Sequence, residues 1–145
     1  MPGDLAPRLP IPTVAGSTGP RAIATVSLQL DQASADGSSW AVAHERPDRH
    51  VRKAMGVIGL SDMAIAASGN YRRWFETDNG FVSHTIQPER GRPLDSGVAS
   101  VSVMAPSCMS ADACATALLV AGADEGTRLA QAAGIEAILS WKTVR

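Results

Sequence analysis

Excess charge is the first thing this chain lacks: 13 Lys and Arg against 14 Asp and Glu leave a formal net charge of −1. A nearly neutral chain has no basic footprint for holding a phosphate backbone. Aromatic residues are scarce, at 4% of the sequence, so stacking platforms for bases are few as well. Nucleic acid is not an expected partner. Cysteine is limited to Cys108 and Cys114, six residues apart, which is neither a CxxC redox pair nor a zinc-ligand spacing. On one helix the two would fall on different faces, so no disulfide is expected between them and both read as small residues near a core. Long apolar runs are missing too. Nothing approaches the roughly 18–20 residues that span a bilayer, and the N-terminal stretch has no continuous apolar region of the kind a secretory signal needs. The expectation is a soluble, cytoplasmic protein.

What is present suits one globular domain. The chain has 145 residues, of which 45% are hydrophobic and 19% charged. A fold of this size buries roughly 68–70% of the surface its unfolded chain exposes, enough to stand without staples. Five of the nine prolines fall in the first 20 residues, which read as an extended arm. Alternation from Ala22 to Leu30 predicts a strand, Ala35-Asp36-Gly37 a turn, and Trp40–His44 a second strand. Residues 1–35 are thus read as an arm with a strand, and residues 36–145 as the domain proper. Glu45 to Lys53 is dense in charge and reads as a solvated loop or hairpin tip.

Further along, Met55–Leu60 and Met63–Ala67 read as strands joined by a tight turn at Ser61-Asp62. Thr77-Asp78-Asn79-Gly80 predicts a hairpin turn, with Asn79-Gly80 at its centre and Phe81–Ile86 as the returning strand. Gln87 to Pro93 contains two prolines and a glycine and reads as irregular loop. Val98–Ala105 alternates strictly and predicts a buried strand that Pro106 ends. The Ala- and Leu-rich run from Ser107 to Ala121 predicts a helix, capped by Ser107 or Ser110 and closed by Gly122. A second helix, Glu125–Ala133, is expected behind an Asp124 cap, and Ile135–Trp141 is the last strand. Strands followed by strand, helix, helix and strand make an α+β domain.

Few residues suggest chemistry. Asp112 and Thr116 are four apart on the first helix, so they lie one turn apart on one face. A carboxylate and a hydroxyl so placed suit a hard cation such as Mg²⁺, and equally suit a helix start where Asp meets the dipole. His84 precedes the Pro/Gly loop, and an imidazole there can take a proton from a hydroxyl or simply sit on a strand. Arg90 and Arg92 carry forked donors that match phosphate but also suit a solvated loop. His44 and His50 flank the charged loop and receive no role.

Three segments, in this order, resemble a known family. They are Ala66–Phe75 (AASGNYRRWF), Ser83–Pro93 (SHTIQPERGRP) and Ser110–Leu118 (SADACATAL). Together they are similar to the C-terminal half of the ApbE family, the FAD:protein FMN transferases, also called thiamine biosynthesis lipoproteins. The resemblance runs from about Asp36 to about Trp141. It implies an ApbE-like, T-fold-related domain with a largely antiparallel sheet and two C-terminal helices. It also implies an enzyme that uses FAD and Mg²⁺ and transfers FMN onto a threonine hydroxyl of a target flavoprotein, releasing AMP. By motif, Asp112 and Thr116 would be the Mg²⁺ ligands, His84 the catalytic histidine, and Ile86 a position lining the flavin site. Three positions depart from the motif: Asn70 and Gln87 stand where the family has aspartate, and Arg90 where it has threonine. Met1 to Ala35 contains no glycine-rich segment of the kind that gives the family a further Mg²⁺ contact. The chain is therefore expected to be a truncated product, the product of a misplaced start, or half of a split protein, with a partner chain or second copy as the candidate source of the missing half. The alternatives are a flavin- or nucleotide-binding module that kept the fold and lost turnover, and a structural fragment that needs a partner chain. Family members are often exported, in contrast with the cytoplasmic reading of this sequence.

Overall fold

The computed structural model describes residues 21–23, 28–30, 37–78 and 80–141. The N-terminal arm, the turn residues Ala35 and Asp36, and Asn79 lie outside them. Three layers make up the fold. Sheet A holds β1 (Arg21–Ile23), β3 (Trp40–Glu45) and β4 (Ala54–Leu60), in the order β1-β3-β4. Sheet B holds β2 (Leu28–Leu30), β5 (Met63–Gly69), β10 (Val98–Ala105) and β11 (Glu136–Trp141), in the order β11-β10-β5-β2. The helices α1 (Cys108–Ala121) and α2 (Ala123–Ala133) form the third layer, with α1 lying against β5 and β10. Two hairpins complete the fold: β6 (Trp74–Thr77) with β7 (Gly80–Ser83), and β8 (Ile86–Gln87) with β9 (Arg92–Pro93). β1 and β3 run parallel and every other described pairing is antiparallel, as an α+β domain with a largely antiparallel sheet requires.

Sheet B is central because its strands can be buried on both faces. In β5, Ala64 and Ala66 pack with Val101 and Val103 of β10 and with Ala111, Ala115, Leu118 and Leu119 of α1. The alanines at the contact let the helix lie close to the sheet. On the other face Ile65 and Met104 pack with Val42, Ile58 and Leu60 of sheet A. The alternation that predicted β10 thus serves two cores. A bulge between Val98 and Ser100 shifts that phase and places Val98 with the helix-side core.

Several boundaries differ from the sequence reading. The single strand expected from Ala22 to Leu30 is two strands in different sheets, β1 beside β3 and β2 beside β5. Ser61-Asp62 does not close a hairpin. It carries the chain from sheet A to sheet B, with Asp62 at φ 53. In the β6–β7 hairpin Thr77 pairs with Gly80, so the hairpin turns within the expected four residues and Gly80 already belongs to the returning strand. The returning strand stops at Ser83, and part of the expected loop is ordered instead: Ile86 pairs with Pro93 and Gln87 with Arg92. Proline is tolerated in such a short pairing because little of the ladder needs its missing donor. Ser107 caps α1, its hydroxyl accepting from Ser110 N–H at 3.2 Å. Asp124 is not the cap of α2: Gly122 holds that position and Asp124 sits in the first turn, where a carboxylate favours the helix dipole. Cys108 and Cys114 lie on α1 without a disulfide between them and pack against the helix-side core, as expected. No helix among the described residues is long and apolar enough to cross a membrane.

Candidate functional site

A cavity of about 260 Å³ opens where sheet A, β5, β10, α1 and the connector after β5 meet. Its walls include His44 and Glu45 of β3, Ser68 of β5, Ser100 and Ser102 of β10, and Thr116 of α1. Tyr71, Arg72, Arg73, His84 and Thr85, from the connector and the segment after β7, line it as well. Hydroxyls, two histidines and arginines around one opening make a surface that suits a polar, anionic ligand.

The connector is shaped by close packing. A Cβ on Gly69 would stand 2.8 Å from the Tyr71 ring and 3.0 Å from the Ala99 carbonyl oxygen, so only glycine fits there. Asn70 N–H donates to that same Ala99 carbonyl at 2.9 Å. Buried Asn70 accepts at Oδ1 from Ser83 Oγ (2.6 Å), and Ser83 Oγ accepts in turn from Thr85 N–H (3.0 Å). This clamp holds the connector against the segment that carries His84. His84 is exposed, and its Nδ1 lies 2.9 Å from the Arg73 carbonyl oxygen. A carbonyl only accepts, so Nδ1 carries a proton, and in the neutral imidazole the lone pair is then on Nε2.

Glu45, read from the sequence as part of a solvated loop, is 4% exposed. Its carboxylate pairs with the Arg72 guanidinium, which donates from both Nη2 and Nε, and accepts from Tyr71 Oη at 3.0 Å. Burial, then the hydrogen bond to and charge of Glu45, push the Tyr71 phenol up to about 12. The hydrogen bond to Glu45 likewise holds the Arg72 guanidinium above its ordinary value. His44 beside it is buried between the sheets, with Nδ1 3.2 Å from Ser102 Oγ and Nε2 3.5 Å from Ser140 Oγ. Burial pushes its pKa down, opposed by the charge of Glu45.

On α1, Thr116 Oγ1 and Ser68 Oγ share a hydrogen bond of 2.7 Å at the cavity wall. Asp112 is one helical turn earlier and exposed. The donors here are all oxygens, the set a hard cation prefers. No group of three or more His, Cys, Asp or Glu side chains among the described residues forms a metal cluster. Thr116 and Ser68 bring two hydroxyl oxygens to the cavity wall, ligand atoms of the type that Mg²⁺ accepts alongside phosphate and water.

Of the four residues singled out by motif, His84 and Thr116 line the same cavity, although 32 positions separate them in the chain. Asp112 and Ile86 are not among its lining residues; Ile86 is exposed on β8. Sequence reasoning missed Glu45 and His44. Both end an apolar strand, and a carboxylate closing such a run was the available signal, hidden by the charges that follow it.

An α+β domain with an oxygen-rich cavity edged by a histidine is the class that fold and site define together. The chain belongs to the ApbE family, whose model matches residues 26–139. It is 40% identical over 116 residues to the FAD:protein FMN transferase of Vibrio cholerae serotype O1, covering 80% of this chain and 35% of that protein. With the FAD:protein FMN transferase of Escherichia coli K12 the identity is 33% over 100 residues, covering 69% of this chain and 28% of the relative. The fold superposes on the Pseudomonas stutzeri flavinyl transferase ApbE with a TM-score of 0.66 at 35% identity, covering 83% of this chain and 37% of the other. With the ApbE protein of Thermotoga maritima the TM-score is 0.71 at 26% identity, covering 80% and 38%. The chain spans about a third of the length of the curated relatives it matches.

Proposed function

We propose that this chain carries the histidine- and hydroxyl-bearing part of a flavin-transfer site, for movement of FMN from FAD to a threonine hydroxyl of a target flavoprotein. The observation that carries the reading is the meeting of His84 and Thr116 at one cavity, in a fold whose relatives bear the name FAD:protein FMN transferase. In the proposed step the acceptor hydroxyl oxygen forms a bond to the FMN-side phosphorus, the pyrophosphate bridge to AMP breaks, and AMP leaves. The hydroxyl proton passes to Nε2 of His84, which the Nδ1 contact to Arg73 leaves free to accept it. Asp112 and Thr116 would hold Mg²⁺, which supplies charge neutralisation of the pyrophosphate when bound. Ile86 would border the flavin from β8.

The test mixes the chain with FAD, Mg²⁺ and a threonine-bearing acceptor protein, and follows covalent flavin fluorescence on a denaturing gel. His84→Ala is expected to cut labelling about 10²–10⁴-fold, the usual worth of a general base, while leaving FAD binding in place. Equal labelling by both proteins would remove His84 from the role. Saturable FAD binding with no labelling would support the non-catalytic binding module instead.

A further inference from the structure

We propose that Glu45 is a positioning residue for His84, acting through Tyr71, Arg72 and the Arg73 carbonyl; this rests on the reading of His84 as the base. Burying a carboxylate is costly unless it is paired and hydrogen-bonded. At the end of β3 an apolar side chain would fill the same space without that cost. Both oxygens of Glu45 are instead committed to two consecutive residues, Tyr71 and Arg72, of the connector. The next residue, Arg73, provides the carbonyl that His84 Nδ1 meets at 2.9 Å.

His84 is exposed, so packing does little to fix its ring, and this is the hydrogen bond its imidazole makes in the structure. The Asn70–Ser83–Thr85 clamp fixes the other side of the gap between connector and histidine. Glu45 thus sets where the acceptor carbonyl stands, and the carbonyl sets which ring nitrogen keeps its lone pair. With the connector released, Nδ1 loses its acceptor, both neutral tautomers become populated, and part of the population presents Nε2–H to the cavity. That fraction has no lone pair at the atom that must take the proton.

The experiment is ¹⁵N NMR of the full-length chain with labelled histidine, without FAD, reading the two ring nitrogens of His84. The wild-type chain is expected to show the Nδ1-protonated tautomer. Glu45→Gln, nearly isosteric, should shift His84 to a mixture, and Arg72→Met should do the same through the other side of the pair. In the transfer assay both variants should lower kcat, by up to about 10²-fold for a misplaced group, with KM for FAD changed by less than about twofold. Unfolding midpoints establish that the variants are folded, and Arg72→Met decides if Glu45→Gln is not. An unchanged Nδ1–H tautomer in the folded variants, or Nε2–H in the wild type, overturns the proposal. A tautomer shift without transfer by the wild-type chain would sustain the positioning and count against flavin transfer. Transfer that needs His84 but is accompanied by an unmoved tautomer would do the reverse.

Discussion

Thr116 bonds Ser68 at 2.7 Å across the seam between α1 and β5, and it lines the cavity. On the proposed reading Asp112 and Thr116 supply two oxygens, so Mg²⁺ should bind weakly to the chain alone and better with FAD present. Calorimetry with FAD should show Asp112→Ala weakening Mg²⁺ by more than the roughly 10–100-fold that loss of an outer partner costs at metal sites. Tight binding that Asp112→Ala leaves unchanged would place the cation elsewhere. Which of these residues the sequence exposed follows from distance along the chain. Asp112, Thr116 and His84 sit inside short motifs and could be singled out by resemblance. Glu45 could not, because Arg72 lies 27 positions away and Tyr71 lies 26. His44 was out of reach for the same reason, with Ser102 and Ser140 at separations of 58 and 96.

Elements were legible where a local pattern was enough. Alternation delimits β10 as Val98–Ala105, and composition with a serine cap delimits α1. Pairing is a non-local property, and there the reading failed: nothing between Arg21 and Leu30 says that its ends join different sheets. The contact of the two helices is another such property. A Cβ on Gly126 would stand 2.8 Å from the Leu118 carbonyl oxygen, so α2 approaches α1 as closely as backbone allows. Glycine inside a helix ordinarily costs about 0.5–1 kcal/mol relative to alanine, so Gly126→Ala would stabilise an open helix. Here the clash must separate the helices, and overpacking costs typically about 1–3 kcal/mol. The expected net effect is a loss of about 1 kcal/mol, read as a lower midpoint in urea unfolding. A higher midpoint would mean that α2 has room to move away.

Across the whole molecule, His44 makes a polar contact between the two sheets, anchored on β3 and reaching β10 and β11. The apolar residues of that same interface, Val42, Ile58, Leu60, Ile65 and Met104, give no solvation to a charge. Either neutral tautomer is satisfied there, since each serine hydroxyl can donate or accept. The imidazolium gains too little from Glu45, whose carboxylate is already shared by Arg72 and Tyr71, to offset its desolvation. The folded pKa of His44 is therefore depressed, and the unfolded chain binds the proton more readily than the folded one. By linkage the stability that His44 contributes is fully present above the unfolded value of about 6.5 and is lost as pH falls from there toward the folded pKa. His44→Gln keeps hydrogen-bonding capacity between the sheets and removes the titration. Urea unfolding of both proteins from pH 7.5 to pH 5 should show the wild type losing more stability than the variant, with the difference opening below about pH 6.5. Parallel pH profiles would mean that the imidazolium is tolerated between the sheets and that the seam opens to water around it.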